Sequence, residues 1–277
     1  MKNLFAALGM RVDKAEVSRE TGLRLEDKVA IVTGGDTGIG KAICVAMARE
    51  GAKVVIDYHG EESAADALVK QIQAAGGTSC AIGADVSKSQ EVARLIEAAV
   101  LRYGNLDIIV NNAGTEEQHP FLEMPLEVYD RVIAVNLTGV WLCSQIAARR
   151  MVEQNRGGRI INISSIHEEV AMPTNAPYCA AKGGVRMLTR TLSIELAPYG
   201  ITVNNVCPGA IDTAMDKDVK RDLEKYERLL REIPLRRMGK PEEVAAMCVY
   251  LASDDAAYVT GASLFIDGGM SKKGGSL

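Results

Sequence analysis

The chain has 277 residues, of which 47% are hydrophobic, so one large or two small domains could bury a substantial core. Its net charge of −4 argues against a general nucleic-acid surface, and no continuous run of about 18 apolar residues predicts a membrane span. Six cysteines without a C-x-x-C pair are typical of reduced thiols in a cytoplasmic protein, and three isolated histidines predict no metal site.

Residues 1–24 carry mixed charge, with Leu4, Leu8 and Val12 at helical spacing. We interpret them as an N-terminal extension that forms a short helix against the body or against a partner. The body of the protein is then expected to span residues 25–277.

A β-branched run at residues 29–33 predicts a buried parallel strand, and the glycine-rich turn 33–40 follows it. A helical run at 41–50 and a second strand at 53–58 complete the unit. The turn reads T-G-x-x-x-G-x-G, and glycines there would let the backbone approach phosphates at a helix N-terminus. This strand, turn and helix context predicts a nucleotide site.

The alternation of strands and helices continues to the end of the chain. Helices are predicted at 61–75, 89–103, 125–150, 177–197 and 241–252, and strands at 78–84, 106–110, 159–163, 201–206 and 263–267. Seven strands alternating with helices predict an α/β fold, a parallel sheet with helices on both faces in a single domain. The charged segment at about 205–240, helical at 213–231, is expected to be a mobile substrate lid.

Tyr178 and Lys182 are four residues apart at the start of a predicted helix, so their side chains can point at one spot. A phenol titrates near pH ~10, and a neighbouring ammonium would lower its pKa toward neutrality. Ser165, just beyond the strand at 159–163, could hold a substrate oxygen beside Tyr178. Tyr-x-x-x-Lys alone also arises by chance on a surface helix. The motifs elsewhere in the chain therefore decide whether this pair is catalytic.

In that pattern the sequence resembles the classical short-chain dehydrogenase/reductase family over roughly residues 25–270. The shared motifs are Thr33-Gly-x-x-x-Gly38-x-Gly40, Asp85-Val86, Asn111-Asn112-Ala113-Gly114, Asn136, Ser165, Tyr178-x-x-x-Lys182 and Pro208-Gly209. The resemblance implies a Rossmann fold, usually a homotetramer, that moves hydride between NAD(P) and an alcohol or carbonyl. It also implies that Tyr178 is the acid/base, Lys182 lowers its pKa and holds the nicotinamide ribose, Ser165 positions the substrate oxygen, and Asn136 steadies a water.

The same resemblance implies the cofactor contacts. They are Thr33, Gly34, Thr37, Gly38, Ile39 and Gly40 at the pyrophosphate, Asp85 and Val86 at the adenine, Asn112, Ala113 and Gly114 at the adenine ribose, and Pro208, Gly209, Ile211 and Thr213 at the nicotinamide. The position of the family's ribose-binding acid is occupied here by Tyr58, and Asp57 lies one residue before it. His59 occupies the position where NADP enzymes often carry Arg. Carboxylates outnumber cations there, so we expect NAD with some use of NADP.

A narrower resemblance, to bacterial glucose 1-dehydrogenases, covers 112–116, 123–126, 164–168 and the tail 258–270. It implies oxidation of the anomeric hydroxyl of β-D-glucose to the lactone, with Glu116, Ser165, His167 and Tyr178 at the sugar. Ala181, where the family commonly has Ser, departs from the pattern by a small change.

Two other hypotheses stay open. One is an enzyme for another small carbonyl or secondary alcohol, because substrate loops vary on this fold. The other is a catalytically silent dinucleotide-binding regulator, which the complete set of four catalytic residues disfavours.

Overall fold

The β-branched run at the start of the body forms an interior strand of a seven-stranded parallel sheet in the computed structural model, which describes residues 22–213 and 222–272. The strand order is 3-2-1-4-5-6-7, and every neighbouring pair is parallel. The order reverses between β1 and β4, and ligands of such sheets bind in the crevice at that reversal. The predicted single-domain α/β fold is confirmed.

The sheet and its helices follow one another in strict alternation through most of the chain. The strands are β1 Val29–Val32, β2 Lys53–Tyr58, β3 Thr78–Gly83, β4 Ile108–Asn111, β5 Gly158–Ile163, β6 Ile201–Pro208 and β7 Ser263–Ile266. The helices are α1 Gly38–Arg49, α2 Glu62–Ala74, α3 Ser89–Tyr103, α4 Leu126–Gln154, α5 Ala176–Glu195, α6 Leu223–Glu232 and α7 Pro241–Ala252.

Both faces of the sheet are buried, which is why its strands are apolar without alternation. Val32 of β1 packs with α1, α2 and α7 on one face, and Ile31 packs with α3 and α4 on the other. Successive side chains of a strand point to opposite faces, so one short strand contributes to two separate cores. These layers hold the carboxyl ends of the strands rigidly along one edge.

Helix α4 contains a wider turn that the sequence analysis did not predict. Residues Ala134–Gly139 form a π-helical stretch between two α-helical parts. The side-chain amide of Asn136 donates to the carbonyl of Val132, four residues earlier, at 2.9 Å. That carbonyl is the usual acceptor of a backbone amide, so the side chain competes with the α-helical pattern.

Length and mean hydropathy alone would allow α4 to cross a membrane, although polar residues interrupt its apolar stretch. Half of its most apolar window is buried inside the protein, where the helix packs against α3, β4 and β5. A core helix of a globular domain has these same properties, and α4 is one.

Some predicted boundaries differ from the structure by three residues or more. Helix α1 begins at Gly38, three residues before the predicted start, so the last two glycines of the turn, Gly38 and Gly40, already belong to the helix. In the segment predicted as a lid, 205–208 belong to β6 and the helix spans Leu223–Glu232. Residues 214–221 of that segment, and residues 1–21 of the predicted extension, lie outside the described residues.

Candidate active site

The ends of β1 and β4 are joined through Thr33 and Asn112. The hydroxyl of Thr33 accepts hydrogen bonds from the backbone amides of Asn112 and Ala113, at 2.9 and 3.0 Å. The side-chain amide of Asn112 in turn donates to the carbonyls of Thr33 and Gly34, at 2.9 and 2.8 Å. Both residues were predicted at the cofactor, and here their side chains fix the shape of the glycine-rich turn.

The glycine-rich turn is built for close backbone approach. Gly34 and Gly38 have positive φ values of 56° and 52°, which favour glycine. A Cβ on Gly40 would overlap the carbonyl oxygen of Gly34, whereas one on Gly38 would meet nothing nearer than Thr213 at 3.7 Å. The turn is therefore tight on its inner side and open at Gly38.

The open side of the turn faces the beginning of α1. No side chain caps this helix start, and its first turn holds no acidic residue among the described residues. The first amides of the helix, including those of Ile39 and Gly40, follow Thr37 and carry the positive end of the helix dipole. Uncapped amides beside an open glycine turn fit a pyrophosphate, so the residues present fit a dinucleotide.

The end of β2 provides Asp57 and Tyr58. Asp57 is buried, and its carboxylate accepts from the amide of Gly34 at 3.4 Å. Burial raises the pKa of Asp57 to about 8, while the hydrogen bond from Gly34 opposes that rise and the nearby Asp36 adds to it. Asp57 thus supports the glycine turn, and Tyr58 occupies the strand end, where its ring lies against Gly83.

The remaining predicted cofactor residues follow the other strands. Asp85 comes after β3, and its carboxylate accepts from the amide and hydroxyl of Ser87, at 2.9 and 2.7 Å. Val86 packs against Gly139 of α4. Gly114 follows β4, and a Cβ there would come within 2.8 Å of the Asn136 side-chain oxygen. These contacts set the depth of the crevice beside β4.

Beyond β6, the chain turns back over the same crevice. Gly209 follows Pro208 and packs against Asp267, and Ile211 pairs with Gly239 in an isolated parallel bridge. Thr213 reaches the open side of Gly38, as its 3.7 Å approach shows. The predicted nicotinamide residues and the predicted pyrophosphate residues therefore border one crevice.

Tyr178 lies in the first turn of α5, directly after Pro177, a residue suited to a helix start. The hydroxyl of Ser165 is hydrogen-bonded to the phenol, which lowers its pKa, but burial dominates and raises the pKa of Tyr178 to about 12. The pKa of Tyr178 is therefore raised overall, where a lowered value was expected, because burial disfavours the charged phenolate more than the hydrogen bond with Ser165 favours it.

Lys182 lies one turn further along α5 and is almost fully buried. Its ammonium donates to the carbonyl of Ile163 at 2.8 Å and lies 5.4 Å from the centre of the Tyr178 ring. Burial lowers the pKa of Lys182 to about 8, against the pull of Cys207 and Glu168, which raise it. The predicted pair does share one spot, with the cation over the ring.

Asn136 is completely buried in the π-helical stretch of α4. Its amide donates to the carbonyl of Thr115 at 2.7 Å, and its oxygen accepts from the amide of Thr115 at 3.3 Å. Asn136 therefore anchors the loop that follows Gly114. That loop carries Glu116 to the site.

The two predicted sugar-pocket residues both reach Tyr178. The His167 ring stands edge-on to the Tyr178 ring with centroids 6.3 Å apart, and its Nδ1 is 2.9 Å from the carbonyl oxygen of Val170. Glu116 is close enough to raise the pKa of Tyr178, and its carboxylate accepts from the side chain of Asn175 at 3.3 Å. An imidazole thus lies edge-on beside the Tyr178 ring, and the carboxylate of Glu116 is near enough for its charge to act on the phenol.

Sequence reasoning missed two buried polar residues of this region. Asn175 precedes α5 and contacts Glu116, while Glu168 lies behind Lys182. Asn175 lies three residues before Tyr178, and this closeness in sequence could have drawn attention to it. A carboxylate beside His167 looks like any surface residue, and its burial depends on β6 and β7, two strands distant in sequence.

Comparison with known proteins agrees with this geometry. A family model described as enoyl-(acyl carrier protein) reductase matches residues 34–271. Glucose 1-dehydrogenase 2 of Bacillus subtilis is 44% identical over 89% of this chain and 95% of its own length. L-rhamnose 1-dehydrogenase (NAD(P)(+)) of Azotobacter vinelandii is 45% identical over 89% of this chain and 97% of its own length.

A relative that is named for a different substrate has the same level of sequence identity to this chain. The 3beta-hydroxysteroid dehydrogenase 1 of Eggerthella lenta is 44% identical over 89% of this chain and 94% of its own length. Among solved structures, a short-chain dehydrogenase/reductase from Serratia marcescens matches with a TM-score of 0.84 and 42% identity, over 90% of this chain and 99% of that one. Overall identity thus leaves the substrate undetermined.

Proposed function

The chain belongs to the short-chain dehydrogenase/reductase family, and from that premise we propose that it oxidises a sugar hydroxyl with NAD(P), β-D-glucose to gluconolactone being the first candidate. We assign Asn136, Ser165, Tyr178 and Lys182 as its catalytic residues. The observation that carries the sugar assignment is the polar border of Tyr178, formed by Glu116 and His167.

NAD(P)+, when bound, supplies the acceptor for the hydride that leaves the carbon of the alcohol. The phenolate of Tyr178 takes the proton of the substrate hydroxyl as the carbon–oxygen double bond forms. Ser165 donates a hydrogen bond to the substrate oxygen and keeps it beside the phenol. Asn136 acts indirectly, because it holds the loop of Glu116 through the backbone carbonyl and the backbone amide of Thr115.

The positive charge of Lys182 favours the phenolate form of Tyr178. Oxidation therefore needs a deprotonated Tyr178 and a protonated Lys182 at the same time. With a pKa of about 12 for the phenol and about 8 for the ammonium, only a small fraction carries both charges. That fraction grows with pH until Lys182 begins to lose its proton.

Polar groups at the border suit a polyhydroxylated substrate better than an apolar one. The carboxylate of Glu116, held by Asn175, can accept from a sugar hydroxyl, and the half-buried ring of His167 presents a further polar edge. Two relatives at similar identity are named for sugars, which supports the same class.

The alternative is a dehydrogenase or reductase of another carbonyl or secondary alcohol. The steroid dehydrogenase of Eggerthella lenta, equally similar to this chain, supports it. Three Phe, eight Tyr and one Trp in the whole chain leave few aromatic side chains for a large apolar pocket, which favours the sugar.

For the nucleotide, we propose a preference for NAD with some use of NADP. The end of β2 has Tyr58, hydrogen-bonded to Glu62 and within reach of the charges of Asp57 and Asp66. His59, at the position where NADP enzymes often carry Arg, is exposed. A 2′-phosphate would meet several carboxylates here, whereas a ribose hydroxyl would meet acceptors.

We also propose a homotetramer working in the cytoplasm, with the segment around 205–240 as its substrate lid. Large apolar side chains are exposed on α4 and α5, including Trp141, Met187 and Ile194, which supports contact between copies. The six cysteines are unpaired, which suits a reducing compartment. Light scattering of the purified protein tests the assembly, and cell fractionation tests the compartment.

The decisive assay is the initial rate of nicotinamide reduction with NAD and then NADP, over a panel of β-D-glucose, L-rhamnose and simple secondary alcohols. We expect glucose or a related sugar to be turned over, faster with NAD. A matched His167→Ala variant should raise KM for the sugar more than for a simple alcohol. Activity on alcohols with no sugar oxidised would refute the sugar assignment and leave the catalytic residues in place.

A further inference from the structure

Glu168 is a fully buried carboxylate behind the catalytic lysine. It ends the short helical turn Ile166–Glu168, and its side chain has no exposed surface. Asn205 of β6 donates to one carboxylate oxygen at 3.0 Å, and the hydroxyl of Ser263 of β7 donates to the other at 2.5 Å. Two strands therefore hold this carboxylate in place.

Among the described residues, α5 and β6 bring titratable groups to Glu168. Arg186 of α5 approaches one oxygen at 3.7 Å, and Lys182 lies one turn earlier on the same face of that helix. Cys207 of β6 and Glu168 both raise the pKa of the Lys182 ammonium. Arg186 makes a closer pair with the exposed Glu169, at 2.6 Å. The charge of Glu168 is thus only partly neutralised by Arg186.

Lys182 needs a negative charge nearby to stay protonated. Its ammonium is buried and has one hydrogen bond, to the carbonyl of Ile163. An isolated buried ammonium tends to lose its proton, since burial disfavours the charged form. The pKa of about 8 is the outcome of burial, which lowers it, against Cys207 and Glu168, which raise it.

We propose that Glu168 is a positioning residue for catalysis: its carboxylate, fixed by Asn205 and Ser263, keeps the ammonium of Lys182 charged at neutral pH. The proposal deepens the proposed function and rests on the assigned role of Lys182. Two neighbouring residues then have different roles: His167, two residues after Ser165, borders the substrate, and Glu168, three residues after Ser165, acts on the lysine.

The consequence for activity has a definite sign. Glu168→Gln keeps the size of the side chain and removes the charge, so the pKa of Lys182 falls by on the order of one unit or more. The pH at which the oxidation rate stops rising then moves in the acid direction. Below that pH Lys182 stays protonated in both proteins, so their rates agree, while the alkaline rate falls about tenfold per unit of pKa lost.

Glu169→Gln is the matched control. Glu169 is the next residue, pairs with the same Arg186 and with Lys272 at 3.5 Å, and is exposed. It loses the same charge by the same substitution. We expect its Lys182 titration and its pH profile to match those of the wild type.

The test is a direct titration of the Lys182 ammonium by NMR on full-length protein with isotopically labelled lysine, assigned with Lys182→Arg, beside the pH profile of kcat/KM. Glu168→Gln should lower the titration midpoint of Lys182, and Glu169→Gln should not. If Glu168→Gln does not fold, Ser263→Ala serves instead. It removes a hydrogen bond to the charged carboxylate, so the Lys182 midpoint should fall, and an unchanged or raised midpoint would overturn the proposal.

The NMR readout needs no substrate, which separates this proposal from the proposed function. A lowered midpoint with no sugar oxidised supports the role of Glu168 and refutes the sugar assignment. An unchanged midpoint in folded Glu168→Gln, with sugar oxidation intact, overturns the role of Glu168 and leaves the sugar assignment standing.

Discussion

The rate of alcohol oxidation should rise with pH and then level off, and the two pKa values predict where. Below about pH 8 Lys182 is protonated, and the phenolate fraction of Tyr178 grows tenfold per pH unit because its pKa is about 12. Above about pH 8 each tenfold gain in phenolate is cancelled by a tenfold loss of ammonium. The profile should therefore have a slope of one and then a plateau.

The perturbation that isolates this effect is Lys182→Met, which replaces the cation by an apolar side chain of similar length. The variant has no ammonium to lose, so its much slower rate should keep rising through about pH 8. The assay is kcat/KM for the oxidised substrate under saturating nucleotide, measured at about half-unit intervals. A wild-type rate that falls between about pH 6 and pH 8, or a variant that keeps the break, would refute the paired-charge mechanism.

Three further changes test separate parts of the site. Tyr178→Phe should abolish turnover while nucleotide binding, followed by fluorescence quenching, persists; surviving turnover would mean another base. Gly40→Ala places a methyl group against the carbonyl of Gly34, so nucleotide binding should fall at least tenfold and the melting temperature should drop; an unchanged variant would show that the turn is looser than described. Asp57 has a pKa of about 8 in the folded protein, above the ordinary value of ~3.9, so the folded state binds the extra proton and its stability falls as pH rises from about 4 to about 8. Asp57→Asn should flatten this fall in denaturant unfolding, and a wild-type stability that increases over that range would contradict the burial of the carboxyl.

Local sequence determined most of the fold, because its signals are short-range. The β-branched strands, the glycine turn at Gly38 and the helix starting near Pro177 each follow from residues within one turn or strand of one another. The motif at Tyr178 and Lys182 likewise needed only helical spacing to bring both side chains over one spot, and the structure places them there.

The tertiary structure alone decided the electrostatics. The charge of Lys182 was expected to lower the pKa of Tyr178, but burial, which depends on every element packed around α5, raises it. In the π-helical stretch, the Asn136 side chain donates both to the carbonyl of Val132 and to the loop after β4, a contact that no local sequence pattern predicts.

Glu168 shows the same division most clearly. In the sequence it is one carboxylate beside another, Glu169, and nothing local separates them. In the fold, Asn205 of β6 and Ser263 of β7 hydrogen-bond to Glu168, which is buried, while Glu169 stays at the surface. Sequence spacing determines which side chains share a helix face, but desolvation and charge depend on what packs against that face, and only the folded chain specifies that.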